Sequence, residues 1–329
     1  MLPKEVKTKI YKTGQTRGAD DDVIFQNRVL RNSTVLIPYE EFNKFKELIQ
    51  AKFFVNGYIV LIKPETYFSL TISELQEYGL TLGENLLVFY ETREQWNNKS
   101  PLPEWKCANS RKAPLGGEYV ARVPSTTSEA ASKIIQGFDS KPKGAGIRVY
   151  EYADNKTIEN CRKQLELLFW SCKDIDELIE SEGLDKKKVQ NHKSSLQQYV
   201  EENDLFDKEK LIEARIIDKD GFTICPLCLK HISAKSFCSR IVQAEGRDVP
   251  DLTVTEVSLF HIHELRSGEF NHKPYNLGWG HHHCNVVVKD AGIEATLQWM
   301  REVIKRNEEA GSKVFLIRPL VLSLFCPFQ

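Results

Sequence analysis

The sequence predicts an α+β protein in three parts: a mixed α/β domain over residues 1–155, a helical segment over 156–205, and a C-terminal domain over 206–329. Three observations carry that prediction. Up to about residue 155, runs of β-branched and aromatic residues alternate with amphipathic segments. Residues 156–205 then show helical periodicity almost throughout. Beyond them cysteine and histidine crowd together, seven of the eight histidines falling between His231 and His283.

In the first part, strands are expected at 6–11, 34–37, 57–62, 86–90, 119–123 and 147–152. A helix is expected at 39–52, where Phe42, Phe45, Leu48 and Ile49 share one face, and another at 129–136 behind a Ser/Thr-rich start. The polar loops 12–22 and 97–117 carry Lys12, Arg17, Arg111 and Lys112 among Gly and Ser. They read either as surface connections or as backbone that approaches phosphates, with Arg17 as a DNA contact.

The second part opens with a helix at 157–170. A short helix at 175–181, a turn containing Gly183 and a longer helix at 185–201 follow, an order that looks like a helix-turn-helix. The longer helix has Val189 and Leu196 to bury. Its other face offers Lys186, Lys187, Lys188, Gln190, Asn191 and Lys193, side-chain types that reach phosphates and base edges in a major groove. Plain packing of an αα-hairpin is the alternative. A β-hairpin is expected across 206–223, around the Asp-Lys-Asp-Gly turn at 218–221.

Composition narrows the class. Of 329 residues, 41% are hydrophobic, 28% charged and 10% aromatic, which is globular and too apolar for disorder. Lys+Arg (45) and Asp+Glu (46) nearly cancel, which argues against a simple polycationic binder. The most apolar stretch, 314–328, is interrupted by Arg318 and Pro319, short of the roughly 20 apolar residues of a membrane span. The start MLPKEVKTKI has no apolar signal core, so the expected location is cytoplasmic, away from membranes. A disulfide framework is then not expected for the eight cysteines. Cys107, Cys161, Cys172, Cys238 and Cys326 are scattered and read as ordinary buried residues.

The remaining three cysteines are patterned. Cys225-x-x-Cys228 and His281-x-x-Cys284 are two metal-knuckle pairs. Two intervening residues let a tight turn aim both side chains at one ion, and Cys₃His is a standard structural Zn²⁺ set. His282 and His283 are alternatives to His281, and the spacing favours His281.

Between the knuckles runs His261-Ile262-His263-Glu264-Leu265, then Asn276-Leu277, then His281-x-x-Cys284-Asn285-x-x-x-Lys289. This resembles the zinc-containing branch of the HNH, or ββα-metal, endonucleases. In that family a strand ends in a histidine, a loop carries an Asn-Leu pair, and a knuckle leads into a helix. The resemblance implies a zinc-stabilised ββα-metal nuclease domain, with His261 as general base, Asn276 bracing the loop and Asn285 as a ligand of a catalytic metal. Neutral imidazole can take a proton from water near neutral pH. A single divalent ion, Mg²⁺ by its taste for oxygen ligands and retained waters, would neutralise charge on the phosphodiester. The sequence departs from the family at Phe260, where many members have a metal-binding Asp or His, and at Glu264, the usual Pro. His263 or Glu264 is then the second metal ligand, unless the register shifts and His263 becomes the base. Arg266 and Lys273 are candidate phosphate contacts, whereas His272 reads as loop surface. A helix over 293–309 closes the pattern.

The motif occupies only the last part of a long chain. A large domain and a helix-turn-helix-like unit ahead of it are similar to the layout of a type II restriction endonuclease, and KIYKTGQTRG is similar to the BstXI-type group. That resemblance implies sequence-specific cleavage of double-stranded DNA by a homodimer, with Zn²⁺ and Mg²⁺ but no small-molecule cofactor. A modification-dependent endonuclease that flips a methylated base and a non-catalytic zinc-stabilised DNA-binding regulator are the alternatives.

Overall fold

Strands β1 (Val35–Pro38), β2 (Tyr58–Ile62), β3 (Leu86–Tyr90) and β4 (Tyr119–Arg122) lie parallel and adjacent in the N-terminal sheet. The computed structural model describes residues 2–11, 34–108, 115–122, 135–136, 147–239, 255–263, 270–288 and 291–309. Strand β5 (Ile135–Gln136) pairs antiparallel with β4, and β6 (Ile147–Arg148) pairs parallel with β1. The sheet order is therefore β5-β4-β3-β2-β1-β6. Its strands read as nearly unbroken apolar runs because both faces are covered. Val35, Ile37, Val60, Ile62, Leu86, Val88 and Tyr90 face one core; Leu36, Ile59, Leu61, Leu87, Phe89 and Val120 face the other.

Short helices make the crossovers: α2 (Lys46–Gln50), then α3 (Pro64–Tyr67) with α4 (Ile72–Glu77), then α5 (Arg93–Asn98). Thr71 and Thr92 cap α4 and α5 through reciprocal bonds with Glu74 and Gln95. The helix expected at 39–52 divides, its first part being a 3-10 turn (Tyr39–Phe45) that buries Phe42 and Phe45. Of the helix expected at 129–136, the last two residues are strand β5 and the rest lies outside the described residues.

Two expected strands are helices. Residues Lys4–Tyr11 form α1. The alternation of Val6, Thr8 and Ile10 suggests a strand, but Val6 and Ile10 are four apart and bury together, while the Thr8 hydroxyl donates back to the Lys4 carbonyl. Asp207 caps the N-terminus of α9 (Lys208–Glu213), which takes the first half of the expected hairpin. Only the pairing of Ile217 with Thr223 survives, around a turn held by the Asp218 carboxylate and Gly221 at φ 93.

Helices α6 (Asn155–Trp170), α7 (Ile175–Ser181) and α8 (Lys186–Glu202) follow the sheet. Asp154 and Asp185 accept backbone N–H bonds at the starts of α6 and α8. Gly183, at φ 62, ends α7 in a left-handed cap with the Leu184 N–H on the Ile179 carbonyl.

A second hairpin, β7 (Val257–His261) with β8 (Leu277–His281), pairs antiparallel with His261 opposite Leu277 and Val257 opposite His281. Helix α10 (His282–Val288) continues from β8 and packs on both strands, and α11 (Ile293–Glu309) follows. One apolar core joins α1, α6, α7, α8, the segment 216–237, the hairpin and α10. At its centre Trp279 is fully buried, donates from Nε1 to the Leu165 carbonyl at 2.9 Å, and meets Phe237 edge-on. Truncating such a ring to Ala costs about 3–5 kcal/mol. Among the described residues, no helix is long and apolar enough to cross a membrane.

Candidate metal centre and active site

Backbone geometry brings the two knuckles together. After Cys225 the chain turns sharply: the Leu229 N–H donates to the Cys225 carbonyl, the Cys225 N–H to the Lys230 carbonyl, and Leu229 adopts φ 59. From the other side, β8 delivers His281 and the first turn of α10 delivers Cys284. Ligand atoms of Cys225, Cys228, His281 and Cys284 all lie within 4.8 Å of one another. Cys228 Sγ is 3.3 Å from His281 Nδ1. Tetrahedral Zn²⁺, with Zn–S about 2.3 Å and Zn–N about 2.0–2.1 Å, holds neighbouring ligands roughly 3.5–3.8 Å apart. The donor set is the one such an ion takes, and separations of up to 4.8 Å leave about 1 Å for the ligands to close on it. Of the three consecutive histidines, His281 is the one in the cluster; His283 stacks on its ring and reaches Cys284 Sγ at 3.3 Å.

Electrostatics point the same way. Burial pushes the Cys225 thiol up, while the backbone N–H groups of Cys228, His281 and Leu227 pull in the opposite sense. Cys284 is raised by burial and then by the neighbouring Cys225 and Cys228. His281 is lowered, first by burial and then by His283 and Lys230. Crowded thiols resist sharing negative charge until a cation joins them, and a dication reverses that balance.

The far end of the hairpin carries a second polar cluster. His261 ends β7 and is half-buried, and His263 is exposed two residues on. Asn276, only 2% exposed, ties this end together. Its Oδ1 accepts the His263 N–H at 2.7 Å, and its Nδ2 donates to the Asn271 carbonyl at 2.7 Å and the His263 carbonyl at 3.4 Å. A carboxamide is required, because one end must accept and the other donate.

The loop before Asn276 is anchored by residues far away in the chain. Tyr275, at φ 64, donates its N–H to Gln164 Oε1 and its hydroxyl to the Asp204 carbonyl, and accepts from the Asp207 N–H. Phe270 packs on Phe45, Phe53, Phe54 and Tyr152 of the sheet domain. Between these anchors His272 is buried, contrary to its reading as loop surface, with Nδ1 3.4 Å from His261 Nε2. Nothing local in the sequence marks that contact.

Asn285 lies half-buried in the first turn of α10, followed by exposed Val286 and Val287. A carboxamide oxygen there suits Mg²⁺, which keeps most of its waters and needs few protein ligands. Lys273 is exposed on the loop. Arg17, Glu264 and Arg266 lie outside the described residues.

On α8, Lys187, Gln190 and Asn191 are exposed, while the other cations have neighbours. Lys186 Nζ bonds Glu180 at 2.8 Å, Lys188 sits 3.8 Å from Asp185, and Lys193 lies over the Trp170 ring. Lys186 is raised by its bond to Glu180. Two of the α8 lysines thus come with an acidic partner.

A family model described as BstXI restriction endonuclease matches residues 8–282 of the chain. No curated protein matches it. Among solved structures, one described as the crystal structure of a type II restriction endonuclease is similar at 16% identity and a TM-score of 0.29. That likeness covers 49% of this chain and 55% of the other.

Proposed function

Because this chain belongs to the BstXI restriction endonuclease family, we propose that it acts as a type II restriction endonuclease, hydrolysing double-stranded DNA at a specific sequence. The finer reading is an HNH mechanism. The observation that carries it is the convergence of Cys225, Cys228, His281 and Cys284 at one end of a β-hairpin whose other end bears His261. The hairpin is followed by a helix bearing Asn285, so the order is strand, strand, helix.

In this reading a structural Zn²⁺ in the Cys₃His cluster fixes the start of α10 relative to β7. His261 takes a proton from a water, whose oxygen attacks phosphorus while the bond to the 3′-oxygen breaks. Asn276 keeps the residues around His261 in place. Asn285, with His263 or Glu264, would hold Mg²⁺, whose chemical contribution is neutralising the phosphate and the departing oxygen. Lys186, Lys187, Lys188, Gln190, Asn191, Lys193, Arg17, Arg266 and Lys273 are the proposed DNA contacts. A homodimer matches the two-fold symmetry of a palindromic site.

A base-flipping reading needs an open aromatic pocket. Trp96 instead packs edge-on against Tyr90 and Tyr119, while Trp105 meets Tyr67 edge-on and stacks on Phe68. The test is to incubate purified protein and Mg²⁺ with methylated and unmethylated genomic DNA and sequence the fragment ends. One shared sequence at the ends from unmethylated DNA supports the proposal. Ends only from methylated DNA support the modification-dependent enzyme, and intact DNA with tight binding supports the regulator.

A further inference from the structure

We propose that Phe270 is a positioning residue: its ring, seated in the sheet domain, fixes the start of the loop at the active-site end of the hairpin, so that DNA cutting depends on the sheet domain's hold on that loop. This rests on the reading of that end of the hairpin as the cutting site. In the sequence Phe270 is a lone large apolar side chain beside Glu269, Asn271, His272 and Lys273. Such a ring gains from burial only against something distant in the chain. It finds Phe53 at 5.2 Å between ring centroids, Tyr152 at 6.3 Å, Phe45 at 6.4 Å and Phe54 at 6.5 Å, in the tilted and edge-on arrangements that aromatic pairs prefer. Among the described residues, the apolar side chains of this sheet-domain core all come from 35–152 except Phe270. The hairpin and α10 belong to the other core, with α1 and α6 to α8. Phe270 is thus where the C-terminal domain enters the core of the sheet domain.

The seat is firm. Tyr152 is fully buried, and its hydroxyl donates to the Phe53 carbonyl at 2.9 Å and accepts the Val55 N–H at 3.3 Å. Phe45 and Phe54 are buried beside it. What the ring holds lies one residue away. The Asn271 carbonyl accepts from Asn276 Nδ2 at 2.7 Å and from the Lys273 N–H at 3.0 Å. Asn276 in turn takes the His263 N–H on its side chain and the Ile262 N–H on its own carbonyl at 3.1 Å, so the strand bearing His261 is tied to this loop. The far end of the loop is fixed separately, where Tyr275 bonds Gln164 of α6 and the Asp204 carbonyl. A loop held at one end can still pivot, and the second anchor removes that freedom. A misplacement of about 1 Å at reacting groups costs on the order of 100-fold in rate. Affinity for DNA, spread over many phosphate contacts, responds far less.

The test measures single-turnover plasmid cleavage with Mg²⁺, DNA affinity, zinc content and melting for Phe270→Ala, Phe270→Leu, Phe53→Ala and the double variant of the two alanines. Phe270→Ala should cut roughly 10–100-fold more slowly, with DNA affinity and zinc content unchanged. Phe270→Leu keeps an apolar side chain in the seat and should restore most of the rate. Phe53→Ala removes the partner from the other domain and should slow cutting likewise. The double variant should be no slower than the slower single one, because both changes break one contact. Phe68→Ala is the control: its ring packs on Tyr67 and Trp105, so it should lower melting and leave cutting at the native rate. A native rate in folded Phe270→Ala, a Leu variant no better than Ala, a double variant slowed by the product of the two, or a Phe68→Ala slowed as much as Phe53→Ala overturns the proposal. If Phe270→Ala does not fold, Phe53→Ala decides: slow cutting at native affinity supports the proposal, and a native rate overturns it. Native-rate cleavage by His261→Ala would instead remove the reading of the cutting site, and so separates the two failures.

Discussion

Replacing Asn276 with Asp keeps the shape of the side chain and changes one end from donor to acceptor. The Oδ1 bond from the His263 N–H survives, but the atom facing the Asn271 carbonyl at 2.7 Å loses its hydrogens. That carbonyl keeps the Lys273 N–H at 3.0 Å, but losing a buried hydrogen bond and setting a charged oxygen against the carbonyl costs about 1–3 kcal/mol or more. The variant has one escape, which is to keep a proton on the carboxyl and donate it. Holding that proton costs about 1.4 kcal/mol per pH unit above an unfolded pKa near 3.9. That ceiling is about 5–6 kcal/mol at pH 8 and about 2 kcal/mol at pH 5.5. The folded pKa is raised above the unfolded one, so the penalty is absent below about pH 4 and grows as pH rises. At pH 8 the repulsive contact between carboxylate and carbonyl governs, and the loss should be about 2–4 kcal/mol. For a chain of this length that lowers Tm by about 3–6 °C. The assay is thermal melting of Asn276→Asp and Asn276→Ala against the native protein at pH 8 and pH 5.5. The Asp deficit should shrink at the lower pH while the Ala deficit stays constant. An Asp variant that melts with the native protein at pH 8, or whose deficit ignores pH, refutes the bracing role.

Cys228→Ser, or a strong chelator applied to the native protein, should release one Zn²⁺ per chain by elemental analysis and lower Tm, because the ion supplies folding energy; unchanged melting without metal loss counts against the centre. Lys187→Glu with Lys188→Glu should flatten the slope of log affinity against log salt by up to about 2, near 0.9 for each lost phosphate contact. Acidic residues suit the first turn of α8, so the fold should tolerate the change, and an unaltered slope returns the helix to ordinary packing. Gly280→Ala should cost about 1–3 kcal/mol, since its new Cβ would run into the Phe260 ring across the hairpin; a neutral melt would mean that ring is free to move.

Features made by neighbours in the chain could be read from sequence. The Cys225-x-x-Cys228 and His281-x-x-Cys284 pairs are tight local turns, and the quartet they suggest is the one that converges. Strands β1 to β4 were legible because a parallel sheet covered on both faces selects apolar runs such as Tyr58–Ile62. Short segments were misread where a distant partner decides. Val6 fits a strand until it packs, as α1, in the core that includes Leu165 and Leu168. The segment after Asp207 is drawn into helix by a single cap and the burial of Leu211. His272 was missed for the same reason: its place depends on Gln164 holding Tyr275 and on Phe53 holding Phe270.

Proton abstraction by His261 is the step on which the proposed DNA cleavage turns. The most direct measurement is plasmid cleavage by His261→Ala, zinc-loaded and folded, with Mg²⁺, scored beside its affinity for the same DNA. If His261 is the base, cutting disappears while binding stays near the native level. Cleavage at the native rate would contradict it.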